Sequence, residues 1–329
     1  MKPKIKIGIC GYGNLGRGVE AEINQNPDME LVAVFTRREP AASLKIKANV
    51  PVVHVGKAAE WADKIDVMIL CGGSASDLPA QGPAFAKLFN TVDSYDTHAK
   101  IPEYLAKIDE AAKAGGHIAV ISGGWDPGLF SLMRLYTGAI LPSGETHTFW
   151  GKGVSQGHSD AVRRVEGVAN AIQYTIPSEA VMAQIRSGES VDLPASRKHK
   201  RVCYVVAAQG ADTVKIEQTI KEMPDYFAGY DTTVHFITAE EMARDHSSMG
   251  HGGHVLHMGK TGVNGNSQVI EFALKLESNP EFTSSVLIAL ARAAYRLAEK
   301  GERGGRTIFD IPPILLSPRD AAEEIKNLL

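Results

Sequence analysis

Cysteine is scarce in this chain of 329 residues, with three in all, and Cys10, Cys71 and Cys203 form neither a CxxC pair nor a paired framework. That excludes a disulfide-stapled secreted fold. Because each lies inside an apolar stretch, all three are expected to be reduced core residues of a cytoplasmic protein. Excess charge of either sign is missing too: 35 Lys and Arg stand against 38 Asp and Glu, a formal charge of -3. No global field draws such a chain to nucleic acid or to an anionic membrane, and neither partner is expected. No apolar run approaches the length of a membrane span, and Met1 to Lys4 run straight into a strand pattern with no apolar signal core, so no signal peptide is expected. Internal repeats, low-complexity tracts, a GxSxG elbow, a P-loop, a kinase motif and an activated-cysteine setting are all absent. Hydride transfer needs none of them.

What is present is alternation. Lys4 to Cys10 reads as a β-branched strand, Gly11 to Gly16 as a tight turn, and Arg17 to Ile23 as the first turns of a helix. Short apolar runs follow at Leu31 to Phe35, Val50 to Val55, Val67 to Cys71, Thr91 to Val92 and His117 to Ile121, with helical periodicity over Ile101 to Gly115. Strand and helix in turn imply a doubly wound, Rossmann-type parallel sheet over residues 1–121. Beyond Gly128 comes one more helix, then more strictly alternating runs at Thr146 to Trp150, Val202 to Ala208, Val234 to Ile237 and Val269 to Leu276, with fewer intervening helices. These predict a second α+β domain over 122–279 with a mixed sheet. The Ala- and Leu-rich helix Ser284 to Lys300 is expected to return to the first domain, so that 280–329 completes it.

Gly11-Tyr12-Gly13-Asn14-Leu15-Gly16 matches GxGxxG, and its place between a buried-type strand and a helix makes it a dinucleotide fingerprint. The helix N-terminus then offers free N–H groups and its positive dipole end to a pyrophosphate. At the end of the second strand, where an NAD site carries Asp or Glu, this chain has Thr36-Arg37-Arg38. Two guanidinium groups and a hydroxyl suit a 2′-phosphate, so the cofactor is read as NADP. Cys71, Gly72, Gly73, Ser74 and Ala75, after the fourth strand, would line the same cleft.

Two further strand-end loops carry unusual polar groups: 93–98, with Asp96, and 122–128, with Trp125 and Asp126. Paired carboxylates beside an aromatic wall suit an ammonium, while helix and turn capping is the plainer alternative. His246, His251, His254 and His257 invite a metal reading, but the glycines among them suggest a loop without a shared ligand face, and no metal is expected. A glycine loop offering a histidine to a carboxylate fits better. In the basic run Arg197 to Arg201, one member could clamp a carboxylate.

The stretches GYGNLGR, VDSYDTH, SGGWDPG, HTFWGKGVSQGHSD, MPDYF, HGGH and ESNP, spread over most of the chain, resemble the meso-diaminopimelate dehydrogenase family. That resemblance implies NADP-dependent, reversible oxidative deamination of the D-centre of meso-2,6-diaminopimelate, giving L-2-amino-6-oxopimelate, ammonium and NADPH, in lysine and cell-wall biosynthesis. It further implies that Asp96, Trp125, Asp126 and Trp150 surround the D-centre and that Gln156 and Gly157 contact substrate from a loop. Thr175, Arg201, His251 and Asn279 would hold the L-centre and its carboxylate. The catalytic proton acceptor is expected to be Asp96 or Asp126, directly or through water, and a homodimer through the second domain is expected. A ring reductase of a neighbouring pathway, or a cofactor-binding protein without turnover, are the competing readings.

Overall fold

The computed structural model describes residues 3–39 and 43–329, without the side chains of Gln156 and Ala195. It divides into two compact units, Met1–Leu132 with Pro280–Leu329, and Met133–Asn279. This division falls later than the expected boundary after residue 121. The reason is packing: a Cβ on Gly123 would lie 2.6 Å from Leu290 and 2.8 Å from Leu287, so loop 122–128 belongs to the first unit.

In the first unit β1 (Ile5–Cys10), β2 (Met29–Thr36), β3 (Val52–His54), β4 (Val67–Leu70), β5 (Asn90–Asp93) and β6 (Ile118–Val120) join the C-terminal strand Gly304–Arg306 in one parallel sheet. Across it the order runs C-terminal strand, β6, β5, β4, β1, β2, β3. The order reverses between β1 and β4, the switch point at which doubly wound sheets bind nucleotides. β1 and β4 are almost wholly buried apolar runs, as a sheet covered on both faces requires. Alternate side chains feed two cores. Ile7, Ile9 and Ile69 pack with Leu287 and Leu290 of the helix Asn279–Glu299, and Cys10, Met68 and Leu70 pack with Phe89 and with Ile108 of the helix Ile101–Gly115.

The second unit holds β7 (Glu145–Trp150), β8 (Gly153–Val154), β9 (Val168–Pro177), β10 (His199–Ala207), β11 (Asp231–Phe236), β12 (His251–Thr261) and β13 (Asn266–Leu276). They form two sheets, not one. The order β11-β10-β9-β8 is mixed, with only β10 and β11 parallel, while β13-β12-β7 is antiparallel. Helices between these strands are also more numerous than expected, at Gln156–Arg163, Glu179–Arg186, Ala195–Lys198, Thr213–Lys221 and Ala239–Asp245.

Candidate active site

At the switch point the three motif glycines do three different things. Gly11 has φ +95, and a Cβ there would press on the Cys71 backbone at 3.0 Å. Gly16 sits under the turn, where a Cβ would lie 2.2 Å from the Gly11 carbonyl oxygen, so helix and strand approach only because it is bare. Around Gly13 nothing lies within 4 Å, which leaves open space at the N-terminus of the helix Asn14–Ile23. That helix starts at Asn14, one turn earlier than the expected Arg17. Two expected outcomes separate these roles. Gly16→Ala costs about 1–3 kcal/mol of stability through overpacking against backbone, read by urea unfolding. Gly13→Ala unfolds like the parent yet binds dinucleotide more weakly, because only a ligand occupies the space beside it.

Gly11, Gly13, Thr36, Arg37, Arg38 and Gly72 line one cleft of about 340 Å³. Thr36 is buried and its Oγ1 accepts the Arg38 backbone N–H at 3.1 Å, while both arginine side chains reach solvent at the rim. The open space at Gly13, the bare helix N-terminus and two rim guanidinium groups fit a phosphorylated dinucleotide. Tyr12 donates its hydroxyl to Glu20, a buried carboxylate that also accepts the Lys47 and Ala48 N–H groups, and so ties the glycine turn to the loop after β2. Leu15 offers its carbonyl to Ser284 Oγ at 3.0 Å, and Asn14 opens the helix. Cys71 N–H donates to the Cys10 carbonyl at 2.7 Å. Burial pushes the Cys10 thiol up to about 12, so it stays protonated at neutral pH. The Gly73 N–H is taken by Asp77, Ser74 Oγ accepts the Asp96 N–H at 2.9 Å, and Ala75 lines a different cavity with Tyr95 and Thr97.

Beyond β5 and β6, both predicted carboxylate loops hang on a residue that sequence reasoning passed over. Asp93 is 2% exposed; its Oδ1 accepts the Tyr95 and Ser122 N–H groups, each at 3.0 Å, and its Oδ2 accepts the Tyr104 hydroxyl at 2.7 Å. Burial raises the pKa of Asp93, and these three hydrogen bonds oppose the rise. The Asp93 carbonyl also accepts the Gly123 N–H at 2.8 Å. The backbone leading into exposed Asp96 and the backbone leading into Trp125 and Asp126 are therefore braced on one residue. Trp125 is 8% exposed, its ring edge-on to Phe130 at 5.2 Å.

In the second unit the residues assigned to the L-centre form a row. Arg201 on β10 pairs with Thr175 on β9, which pairs with Gly153 on β8, and His251 lies so close to Gly153 that a Cβ there would meet its Cα at 2.5 Å. Strand alternation divides the basic run, turning Lys200 out to Asp231 at 3.2 Å and burying Arg201. Arg201 Nη1 donates to Thr175 Oγ1 at 2.5 Å, its guanidinium stacks over Tyr230 at 4.3 Å, and its buried Nε–H has no partner among the described residues. Burial lowers the Arg201 pKa, but a guanidinium stays charged. A buried cation with an unused donor and no carboxylate in an ion pair with it, among the described residues, suits an anionic ligand. His158, also missed, donates no charge to this row: burial, then the Arg201 charge, push it down to about 4. Burial likewise lowers His251, whose Nδ1 lies 2.7 Å from the Gly252 N–H.

Two expectations are corrected here. The histidine segment is no glycine loop: His251, His254 and His257 lie on β12, where alternation puts His254 on the face opposite the other two, His254 to Glu271 at 2.7 Å and His257 to Thr146 at 2.6 Å. His246 caps the helix Ala239–Asp245 and meets the Tyr174 hydroxyl at 2.9 Å. No cluster of three metal-ligating side chains occurs among the described residues. Gln156 and Gly157 are not loop residues but open the helix Gln156–Arg163; the Gln156 side chain lies outside the described residues. Trp150, at the end of β7, stacks on His199 at 5.5 Å and donates its backbone N–H to His199 Nε2 at 3.0 Å. The Asn279 N–H donates to the Met249 carbonyl, two residues before His251.

A family model described as the diaminopimelic acid dehydrogenase C-terminal domain matches residues 124–278. The meso-diaminopimelate D-dehydrogenase of Ureibacillus thermosphaericus is 60% identical, over 99% of each chain. A Corynebacterium glutamicum diaminopimelate dehydrogenase structure in complex with diaminopimelate superposes with a TM-score of 0.91 at 46% identity, over 99% of each chain. An engineered D-amino acid dehydrogenase bound to NADP+ superposes with a TM-score of 0.86 at 44% identity, covering 99% of this chain and 100% of that one.

Proposed function

The chain belongs to the meso-diaminopimelate D-dehydrogenase family, and from that membership we infer a division of labour among its own residues. It is an oxidoreductase that acts on the D-configured CH–NH2 centre of meso-diaminopimelate, with NADP as cofactor. The observation that carries the assignment of roles is the presence of two opposite charge sets: the carboxylates Asp96 and Asp126 on loops braced by Asp93, and the buried cationic Arg201 beside Thr175. A substrate with an ammonium and a carboxylate at each end needs both.

NADP, when bound, supplies the two-electron acceptor. Asp96 and Asp126 hold the D-ammonium, and one of them removes its proton, directly or through water, so that the nitrogen lone pair can develop as hydride leaves the carbon. Water then adds to the resulting imine, and ammonium departs to leave L-2-amino-6-oxopimelate. Arg201, with the Thr175 hydroxyl, His251 and Asn279, holds the L-centre carboxylate; Gln156 and Gly157 line the substrate, and Trp125 and Trp150 wall the D-centre. NADP reduction should be fastest with the meso isomer, much weaker with DD-diaminopimelate, which has a D-centre but no L-centre for the Arg201 row to hold, and not seen with the LL isomer. Turnover of LL at the meso rate overturns the D-centre assignment.

The preference for NADP over NAD is assigned to Thr36, Arg37 and Arg38. Arg37→Ala is expected to weaken NADP about 10- to 100-fold and NAD little, since it removes charged hydrogen bonds that only a 2′-phosphate can accept. An unchanged preference in titrations of both cofactors sinks that assignment. We place the protein in the cytoplasm, in keeping with three free cysteines and with no helix among the described residues long and apolar enough to cross a membrane. A homodimer is supported by the exposed apolar side chains Leu135, Tyr136 and Ile140 along one helix of the second unit. Sedimentation at monomer mass overturns it.

A further inference from the structure

Asp77 has no part in the roles assigned so far, yet it stands in the cofactor cleft with Arg37. Its loop leaves β4, passes the Gly72-Gly73 pair and enters the helix Leu78–Ala86. One carboxylate oxygen accepts the Gly73 N–H at 2.9 Å, and the two oxygens together accept Arg37 Nη1 and Nη2 at 2.9 and 3.1 Å. The pair lies fork to fork, so it fixes the plane of the guanidinium as well as its place. Arg37 is 67% exposed and Asp77 only 15%. A pair so open to water adds little stability. Its consequence is geometric: each Nη keeps a second N–H and Nε keeps its own, which leaves three of the five donors pointing away from Asp77.

We propose that Asp77 is a positioning residue for cofactor specificity, holding the Arg37 guanidinium at the cleft rim with three donors ready for the 2′-phosphate. The proposal rests on the reading of Thr36, Arg37 and Arg38 as the 2′-phosphate site. Two effects of the carboxylate oppose each other. Its charge repels a phosphate, but that charge is paired with Arg37, and the water that reaches the 67% exposed guanidinium keeps the repulsion weak. Its hydrogen bonds spare Arg37, a long side chain otherwise free in solvent, the rotamer freedom it would lose on binding. Orientation is the larger effect.

Asp77→Asn isolates it. The asparagine oxygen, in the place of Oδ2, still accepts the Gly73 N–H and Nη2, so the loop is kept, while the new NH2 group cannot accept from Nη1 and the two-point fork that fixes the guanidinium is broken. Binding is measured by calorimetry with 2′,5′-ADP and 5′-AMP, probes that differ only in the 2′-phosphate. Asp77→Asn should weaken 2′,5′-ADP about 3- to 10-fold, the scale of one freed side chain, and leave 5′-AMP within about 2-fold. In an Arg37→Ala background the same change should have no further effect on 2′,5′-ADP. A wild-type preference for 2′,5′-ADP that Asp77→Asn leaves intact or strengthens overturns this proposal alone. If wild-type protein binds the two probes equally, the 2′-phosphate site itself falls, and this proposal with it.

Discussion

Of the variants Asp96→Asn and Asp126→Asn, one loses about 10²- to 10⁴-fold in kcat for meso-diaminopimelate, the range that a positioned proton acceptor contributes. The other raises KM with a smaller change in turnover, since it binds the ammonium without taking its proton. Both substitutions are isosteric, and the loops that carry them are braced elsewhere, by the buried carboxylate and carbonyl of Asp93. Loss of activity therefore reports chemistry, provided NADP binding and the urea midpoint stay at parental values. Single-turnover measurement of NADPH formation checks the step directly. Normal turnover in both variants would remove the carboxylates from the mechanism.

Replacing Arg292 by methionine costs about 1–3 kcal/mol of stability at neutral pH, by removing the buried partner of an ion pair whose carboxylate, Asp28, is 28% exposed. The residue is 2% exposed in the helix Asn279–Glu299 and makes four hydrogen bonds with its guanidinium: Nε and Nη2 on Asp28 at 2.6 and 2.9 Å, Nη2 again on Asn26 at 2.7 Å, Nη1 on the Leu316 carbonyl at 2.8 Å. It joins the returning helix to the turn before β2 and to the C-terminal segment. The pH dependence follows from Asp28. Burial raises its pKa, but the Arg292 hydrogen bonds and charge outweigh burial and hold it below the ordinary carboxylate value. A carboxylate with a depressed folded pKa contributes stability above its unfolded pKa of about 3.9 and loses it as pH falls through the folded value. The gap between wild type and Arg292→Met should therefore be widest at neutral pH and shrink below about pH 4. A pH-independent gap in urea unfolding would show that packing, and not the ion pair, sets the cost.

Legibility in the sequence followed contiguity. The strand, glycine turn and helix of the cofactor site occupy Ile5 to Ile23, and their signals are local: an apolar run, glycines at fixed spacing, then helical periodicity. The helix Ile101–Gly115 was readable to the residue because Pro102 marks its start and Gly116, at φ +75, its end. β9 and β12 were not readable. β9 carries Asn170, Gln173, Tyr174 and Thr175 where an apolar run would signal a strand, and β12 opens on His251-Gly252-Gly253, which reads as a loop. Both are held by pairing with neighbours on either side, so register supplies what propensity does not. Asp77 left one local trace, an acidic residue just ahead of Leu78-Pro79 at a helix start, but nothing in that trace names Arg37 as its partner.

By itself, then, the sequence determined a parallel sheet with a dinucleotide turn at its switch point, and a residue set whose likeness to known relatives names the reaction. Only the tertiary structure decided which charges stand alone and which are spoken for. Arg37 meets Asp77 forty positions away, Arg201 is buried beside Thr175 while its neighbour Lys200 turns to solvent, and Arg292 reaches across 264 positions to Asp28. Such pairings depend on strand order, alternation and helix packing, which bring distant segments within hydrogen-bond range; a linear spacing carries no record of that distance.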